Sequence, residues 1–341
     1  MKPFIPKRVF FELQSLEYPL GRDLWERFRS MNIPVEKIKS HNRVTGIPGK
    51  TPRQAWVEAK STLVVGVRKT LKFEKCKPSA HYQLPITTSC PGKCEYCYLQ
   101  TTLGKKPYLR LYVNQEEILQ QTADYIKERI PEITLFEGAA TSDPLPVEPY
   151  SGALAKTIEF FSRQEYGRFR FVTKFTNVES LLELPHNGHT RFRFSLNSDY
   201  VISSFEHGTP TLPERIEAAS KVSRAHYPLG FIIAPIMAHS EWQKEYRTLL
   251  IELKNQLDPA ALQDLSFELI THRYTKRAKE NILALFPETN LPMSEEERRI
   301  KYGQFGYIKY IYPEDTYKAL KEFFFTEIQN LFPAAKISYF V

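Results

Sequence analysis

Six times between residues 82 and 286 a short strand-type run is followed by a segment with helical spacing, and this alternation limits the possible folds more than any other feature. The runs are QLPITT (83–88), ITLFEG (133–138), FRFVTK (169–174), RFRFSLN (191–197), GFIIAPI (230–236) and LSFELI (265–270). Helices are expected from Asn114, over 152–162, briefly from Asn177, from Thr211 with Pro213 in the first turn, over 240–257 and over 275–286. Asn114 and Glu117 have capping-box spacing, and a proline in a first helical turn forfeits no hydrogen bond. Strands alternating with helices predict an α/β fold, a parallel sheet with helices outside. Right-handed crossovers curl such a sheet into a barrel or partial barrel, or leave it open. Either way, chemistry belongs at the C-terminal ends of the strands.

Outside the alternation, residues 1–81 read as an N-terminal lobe with a helix over 23–31 and a strand over 63–67. Residues 82–286 form the core, and 287–341 a C-terminal extension with a helix over 316–332 and a last strand over 336–341. No repeat or low-complexity tract interrupts this. With 42% apolar and 25% charged residues, a large core can form. No run approaches the roughly 20 apolar residues of a membrane span, and MKPFIPKRVFFELQ has no signal-peptide core. A cytoplasmic protein with no membrane partner is expected. The net charge of +8 suits a polyanion, and equally a basic enzyme with no nucleic-acid role. Nineteen Tyr and 23 Phe offer rings that either stack on bases or fill the core.

Of four cysteines, three fall within eight residues, Cys90-Pro-Gly-Lys-Cys94-Glu-Tyr-Cys97, after the first strand. Such crowding reads as metal or cluster binding in a reducing compartment, and Pro91 and Gly92 let the backbone wrap tightly. Two occupants remain open on spacing alone. Zinc wants a fourth ligand, which Cys76 or His81 can supply. A 4Fe–4S cluster with three thiolates leaves one iron open to a small molecule. Cys76 otherwise reads as a core residue.

Other strand ends carry polar residues. Gly138-Ala139-Ala140-Thr141-Ser142-Asp143-Pro144 follows the second strand, as a ligand-approach loop or an Asx turn. Lys174 ends the third. Ser195 and Asn197 end the fourth on one face, reaching a ligand or forming a turn. After the sixth come His272 and a basic group of Arg273, Lys276, Arg277 and Lys279. Arg298, Arg299, Lys301 and Lys309 form a second group around Tyr302-Gly303-Gln304-Phe305-Gly306-Tyr307, whose glycines suggest a hairpin tip. Such a tip either wedges into a duplex while bases flip or packs as an ordinary hairpin.

The C-x-x-x-C-x-x-C loop with its following aromatic resembles the signature of the radical S-adenosylmethionine (SAM) superfamily. Together CPGKCEYCYLQ, GA-x-TSDP, SLNSDY and YGQFGY resemble the spore photoproduct lyase family over most of the chain. The resemblance implies a partial (β/α)6 radical SAM barrel, a 4Fe–4S cluster on Cys90, Cys94 and Cys97, and SAM on its open iron. Ser142, Lys174, Ser195, Asn197, Ala234, Tyr96 and Tyr98 would line the cofactor, with Tyr98 also in a hydrogen-atom relay. The implied substrate is 5-thyminyl-5,6-dihydrothymine in double-stranded DNA. An adenosyl radical takes its C6 hydrogen, the methylene bridge breaks, and two thymines result. Arg273, Lys276, Arg298, Arg299, Lys301, Gln304, Phe305 and Lys309 would face DNA. A flavodoxin or ferredoxin would supply electrons in the spore core or germinating cell. One departure stands out: the family has a hydrogen-donor cysteine where this chain has Ala140, so an impaired form is expected. Competing readings are a radical SAM enzyme acting on RNA or a peptide, and a zinc-stabilised nucleic-acid-binding protein.

Overall fold

Five of the six strand-type runs are strands where the alternation puts them; the first is divided. The structure is a computed structural model describing residues 3–303 and 306–341. QLPITT does not run through: one strand ends at Gln83 (Ala80–Gln83), and the chain pairs again at Thr87–Thr88 in a different sheet. Pro85 lies between them and has no N–H for a ladder. The chain packs as two units, residues 3–91 with 103–191, and residues 92–102 with 192–341.

The first unit holds a five-stranded sheet in the order Val35–Ile38, Arg8–Glu12, Thr62–Gly66, Leu109–Tyr112, Thr87–Thr88. All pairs are parallel except the last. Side chains alternate across it, as strand geometry requires. Val9, Phe11, Leu63, Val65, Leu109 and Leu111 pack on one face with Leu24 and Phe28 of the helix Pro19–Ser30. Phe10, Val64 and Tyr108 pack on the other. Most of this sheet went unread in the sequence, which suggested one strand there. In the same unit Lys75–Cys76 pairs antiparallel with Ala80–Gln83, which runs parallel to Thr134–Glu137, itself parallel to Gly167–Thr173. The helices Gln115–Lys127 and Ala153–Ser162 follow their strands as expected, while the segment after Asn177 forms only a 3-10 turn, Glu179–Leu181. The Asn114 side chain does not cap its helix. It accepts from Arg68 N (2.8 Å) and donates to Arg68 O (3.0 Å) and Glu117 Oε2 (2.8 Å), tying the helix start to the segment just after the strand Thr62–Gly66.

In the second unit Thr190–Leu196, Leu229–Ile236, Leu265–Thr271 and Lys336–Phe340 form a parallel series. The helices Leu212–Arg224, Trp242–Gln256, Lys276–Leu285 and Glu314–Leu331 agree with the sequence reading. Thr211 and Glu214 form a capping box. Arg193 and Tyr339 both bind the buried Glu268 carboxylate (2.8 and 2.7 Å), fixing side-chain register across the series. The helix Asp199–Phe205 and the strand Glu206–His207 were not anticipated. That strand pairs antiparallel with Lys93–Cys94, within the cysteine loop. Arg299–Tyr302 and Ile308–Ile311 make the expected hairpin; Gln304 and Phe305 at its tip lie outside the described residues. Among the described residues, no helix is long and apolar enough to cross a membrane.

Candidate active site

In the first unit, the start of the cysteine loop is joined to the loop after Thr134–Glu137. Ser89, at φ +69°, sits in a parallel bridge with Ser142. Its N–H donates to Thr141 O (2.8 Å), its carbonyl accepts from Asp143 N (3.1 Å), and its hydroxyl donates to Pro107 O (2.7 Å). Cys90 follows directly, its carbonyl accepting from the buried Lys60 ammonium (3.0 Å). Gly138 begins the second loop because a Cβ there would lie 2.7 Å from the Phe169 ring. Asp143 makes the Asx turn foreseen as an alternative: Oδ1 accepts from Leu145 N (3.3 Å). The same carboxylate accepts from Thr173 Oγ1 (2.8 Å) and Lys174 N (2.9 Å). Burial pushes its pKa up to about 6 against these donors. Asp143 therefore fixes the backbone around Lys174, bringing two predicted positions to one strand end.

A cavity of about 200 Å³ opens beside this loop. Ala140, Thr141 and Ser142 line it, together with Thr88, Arg110 and Tyr112 from the five-stranded sheet. Ser142 is buried, with Oγ 3.4 Å from Gly138 O. Cys76 is half-buried rather than a core residue, and lies just past the cavity residues Phe73 and Glu74.

In the second unit, Cys94 and Cys97 are held in a turn. Cys97 N donates to Cys94 O (3.3 Å), and the Gln100 amide donates to Cys94 O (2.9 Å) and Glu95 O (3.1 Å). The Tyr96 hydroxyl donates to Glu206, and burial with this nearby carboxylate pushes its pKa well above the usual phenol value. Glu206 also meets Arg215 (2.6 Å), which donates to Ser195 O (3.0 Å). One buried chain of contacts thus runs from the cysteine loop to the end of Thr190–Leu196. Tyr98 is 59% exposed. Asn197 is wholly buried and tied inward: it donates to Pro235 O (2.8 Å) and accepts from Tyr246 OH (2.9 Å) and Ser198 N (3.0 Å). This pins it beside the half-buried Ala234.

The predicted DNA-facing cations differ in environment. Arg273, Lys276 and Lys301 are exposed. Lys309 is half-buried, its ammonium 5.1 Å from the Tyr307 ring centroid. Arg299 pairs with Glu314 (2.5 Å) and donates to Tyr312 O (3.1 Å). Arg298 donates to His272 O (3.0 Å) and Pro292 O (2.7 Å) and lies 3.9 Å from the Tyr312 ring centroid, so it secures the hairpin base. Beside these cations Tyr302 is 72% exposed.

The three loop cysteines are thiols outside any disulfide, and thiolates are the usual ligands of iron–sulfur clusters. Among the described residues, no three or more His, Cys, Asp or Glu converge as a single metal ion requires. A four-iron cube makes a different demand, since each thiolate meets its own iron. The donor set fits the cluster.

Sequence reasoning missed Glu206, Arg215, Arg68, Arg110 and Tyr112. The available signal was a charge within an apolar pattern: Arg110 in the alternating LRLYV, and Arg215 on the buried stripe of its helix.

A family model described as spore photoproduct lyase matches residues 4–341. The chain is 52% identical over 338 residues to the spore photoproduct lyase of Bacillus subtilis (strain 168), covering 99% of each. It is 51% identical over 340 residues to that of Geobacillus sp. (strain Y412MC61), covering 100% of each. A solved spore photoproduct lyase mutant with bound AdoMet and dinucleoside spore photoproduct superposes with a TM-score of 0.97 at 51% identity, covering 100% of both chains. That mutant has alanine for cysteine at its position 140 and cysteine for serine at its position 76. The expected α/β fold holds, shared with this solved relative.

Proposed function

The chain belongs to the spore photoproduct lyase family, and on that premise we propose that it is a radical SAM DNA repair lyase returning the spore photoproduct to two thymines. Cys90, Cys94 and Cys97 hold the 4Fe–4S cluster, and Ser142, Lys174, Ser195, Ala234 and Tyr96 surround SAM. The bound cofactor supplies, on reduction by an electron donor such as a flavodoxin or ferredoxin, an adenosyl radical that takes the lesion's C6 hydrogen. The residues of the chain position the lesion, exclude water and return a hydrogen to the thymine methyl radical. The exposed cations Arg273, Lys276 and Lys301, with Tyr302, face the duplex. The working compartment is the spore core or the germinating cell.

The observation that carries this reading is the bridge of Ser89 to Ser142. It sets Cys90, the residue after Ser89, beside the wall of a cavity lined by residue 140.

Ala140 has no S–H bond to give, so the chain would be impaired unless another thiol took that role. Cys76, near the same cavity, supplies one: its S–H breaks as the C–H of the thymine methyl forms, the sulfur radical takes the Tyr98 O–H hydrogen, and the tyrosyl radical takes back from 5′-deoxyadenosine the hydrogen first removed from C6. This is supported by the solved mutant that combines alanine at 140 with cysteine at 76, the two residues this chain carries at those numbers. The test is anaerobic turnover of dinucleoside spore photoproduct with SAM and dithionite, products resolved by mass spectrometry. The reading expects clean thymine product from the unchanged chain, by-products from Cys76→Ala, and recovery in Cys76→Ala with Ala140→Cys. No lesion loss from the unchanged chain or from Ala140→Cys refutes the lyase. Clean product from Cys76→Ala refutes only the role of Cys76.

A further inference from the structure

The cavity in the first unit has a cationic wall that the proposed chemistry leaves unused. Tyr108, Arg110 and Tyr112 alternate along the strand Leu109–Tyr112 and the residue before it, so their side chains share one face. Thr88, paired opposite Arg110, shares that face and meets the Tyr112 hydroxyl at 3.2 Å. The Arg110 guanidinium lies 4.8 Å from the Tyr108 ring centroid, and Arg68 stands 5.9 Å from that of Tyr112. Both arginines line the cavity. A guanidinium against an aromatic ring keeps its N–H edge available to accept a planar or tetrahedral anion.

Among the described residues, neither charge meets a carboxylate within ion-pair distance. Arg68 Nε donates to the Thr70 carbonyl (2.9 Å), a neutral partner. Arg110 Nε is buried and has no hydrogen-bond partner, an uncommon condition for a buried donor. Among the described residues no carboxylate forms an ion pair with either arginine; Glu74 also lines the cavity and leaves two cations against one anion there. Tyr112 is held rigidly between them. The His41 ring packs edge-on to it at 5.7 Å, with Nδ1 2.7 Å from the buried Glu12 carboxylate. Gly66 leaves room for that imidazole, since a Cβ there would lie 2.7 Å from His41 Cβ.

We propose that Arg68 and Arg110, flanking Tyr112, bind a phosphodiester of the lesion strand, the one linking the two crosslinked nucleotides. This rests on the lyase reading, in which the thymine beside residue 140 occupies the same cavity. The linking phosphate is then at most one sugar away. Two guanidinium forks give it charge-assisted, directional hydrogen bonds. The phosphate thus fixes which thymine of the pair faces the hydrogen donor.

The test compares two ligands on the anaerobic, cluster-loaded protein: spore photoproduct dinucleotide with its bridging phosphate, and the dinucleoside without it. Binding is read by equilibrium dialysis with SAM present, and SAM affinity is measured separately. The unchanged protein should bind the dinucleotide more tightly. Arg110→Met should weaken the dinucleotide about tenfold and alter dinucleoside and SAM affinity less than about twofold. Arg68→Met should act in the same direction, and Arg110→Lys should recover part of the loss. Equal loss for both ligands, no loss for either, or a fall in SAM affinity overturns the phosphate assignment. If the unchanged protein binds neither ligand, the lyase reading fails instead.

Discussion

Asp143→Asn isolates what it costs to hold the loop after Thr134–Glu137. The Asp143 carboxylate is buried and accepts from Thr173 Oγ1, Lys174 N and Leu145 N. Desolvation outweighs those donors and raises its pKa from 3.8 to about 6. A carboxyl whose folded-state pKa is raised holds its proton more tightly in the folded state. Its contribution to stability is therefore full below the unfolded value and is lost as pH rises through the folded one. With those two pKa values, moving from about pH 5 to pH 7.5 costs the folded protein about 1.4 kcal/mol through this one group. Asparagine keeps an oxygen for the backbone donors and does not titrate. Glu148, raised by burial to about 7, titrates in the same range, so the quantity to read is the difference between the two proteins. Anaerobic urea unfolding followed by circular dichroism, at both pH values, should show Asp143→Asn gaining about 1.4 kcal/mol on the unchanged chain between the lower and the higher pH. Parallel pH dependence in the two proteins would refute the idea that Asp143 sits in the fold at the expense of its charge.

Lys301→Ala should weaken duplex binding uniformly across sequences and lower the salt-dependence slope by about one, measured by fluorescence anisotropy at several salt concentrations. Gly138→Ala should destabilise the fold by about 1–3 kcal/mol in urea titrations, because the new methyl meets the Phe169 ring at 2.7 Å.

The βα units were readable because each one is local. A strand's apolar run and a helix's spacing are each read from consecutive residues, as in GFIIAPI and the 15-residue helix Trp242–Gln256 that follows it. The cysteine loop was readable for the same reason. The five-stranded sheet was not, since Leu109–Tyr112 acquires its meaning only by pairing with Thr62–Gly66, far back in the chain. Two-residue strands such as Lys93–Cys94 and Glu206–His207 have no period to detect. Asn114 shows the limit of a local rule: its spacing to Glu117 matched a capping box, yet the backbone of Arg68, just after the strand Thr62–Gly66, offered the side chain better partners. The hairpin was foreseen, while the commitment of Arg298 to its base depends on His272 and Tyr312, distant in sequence.

Ser89 is stitched on both sides, by its amide to Thr141 and by its carbonyl to Asp143, and its hydroxyl takes a third anchor at Pro107. A residue so fixed behaves like a rivet. Length changes upstream of it would drag the cavity wall along, whereas those between Cys90 and Cys94 would be free to alter the spacing of the thiols without moving residue 140. The spacing of the thiols is thus mechanically separable from the shape of the pocket.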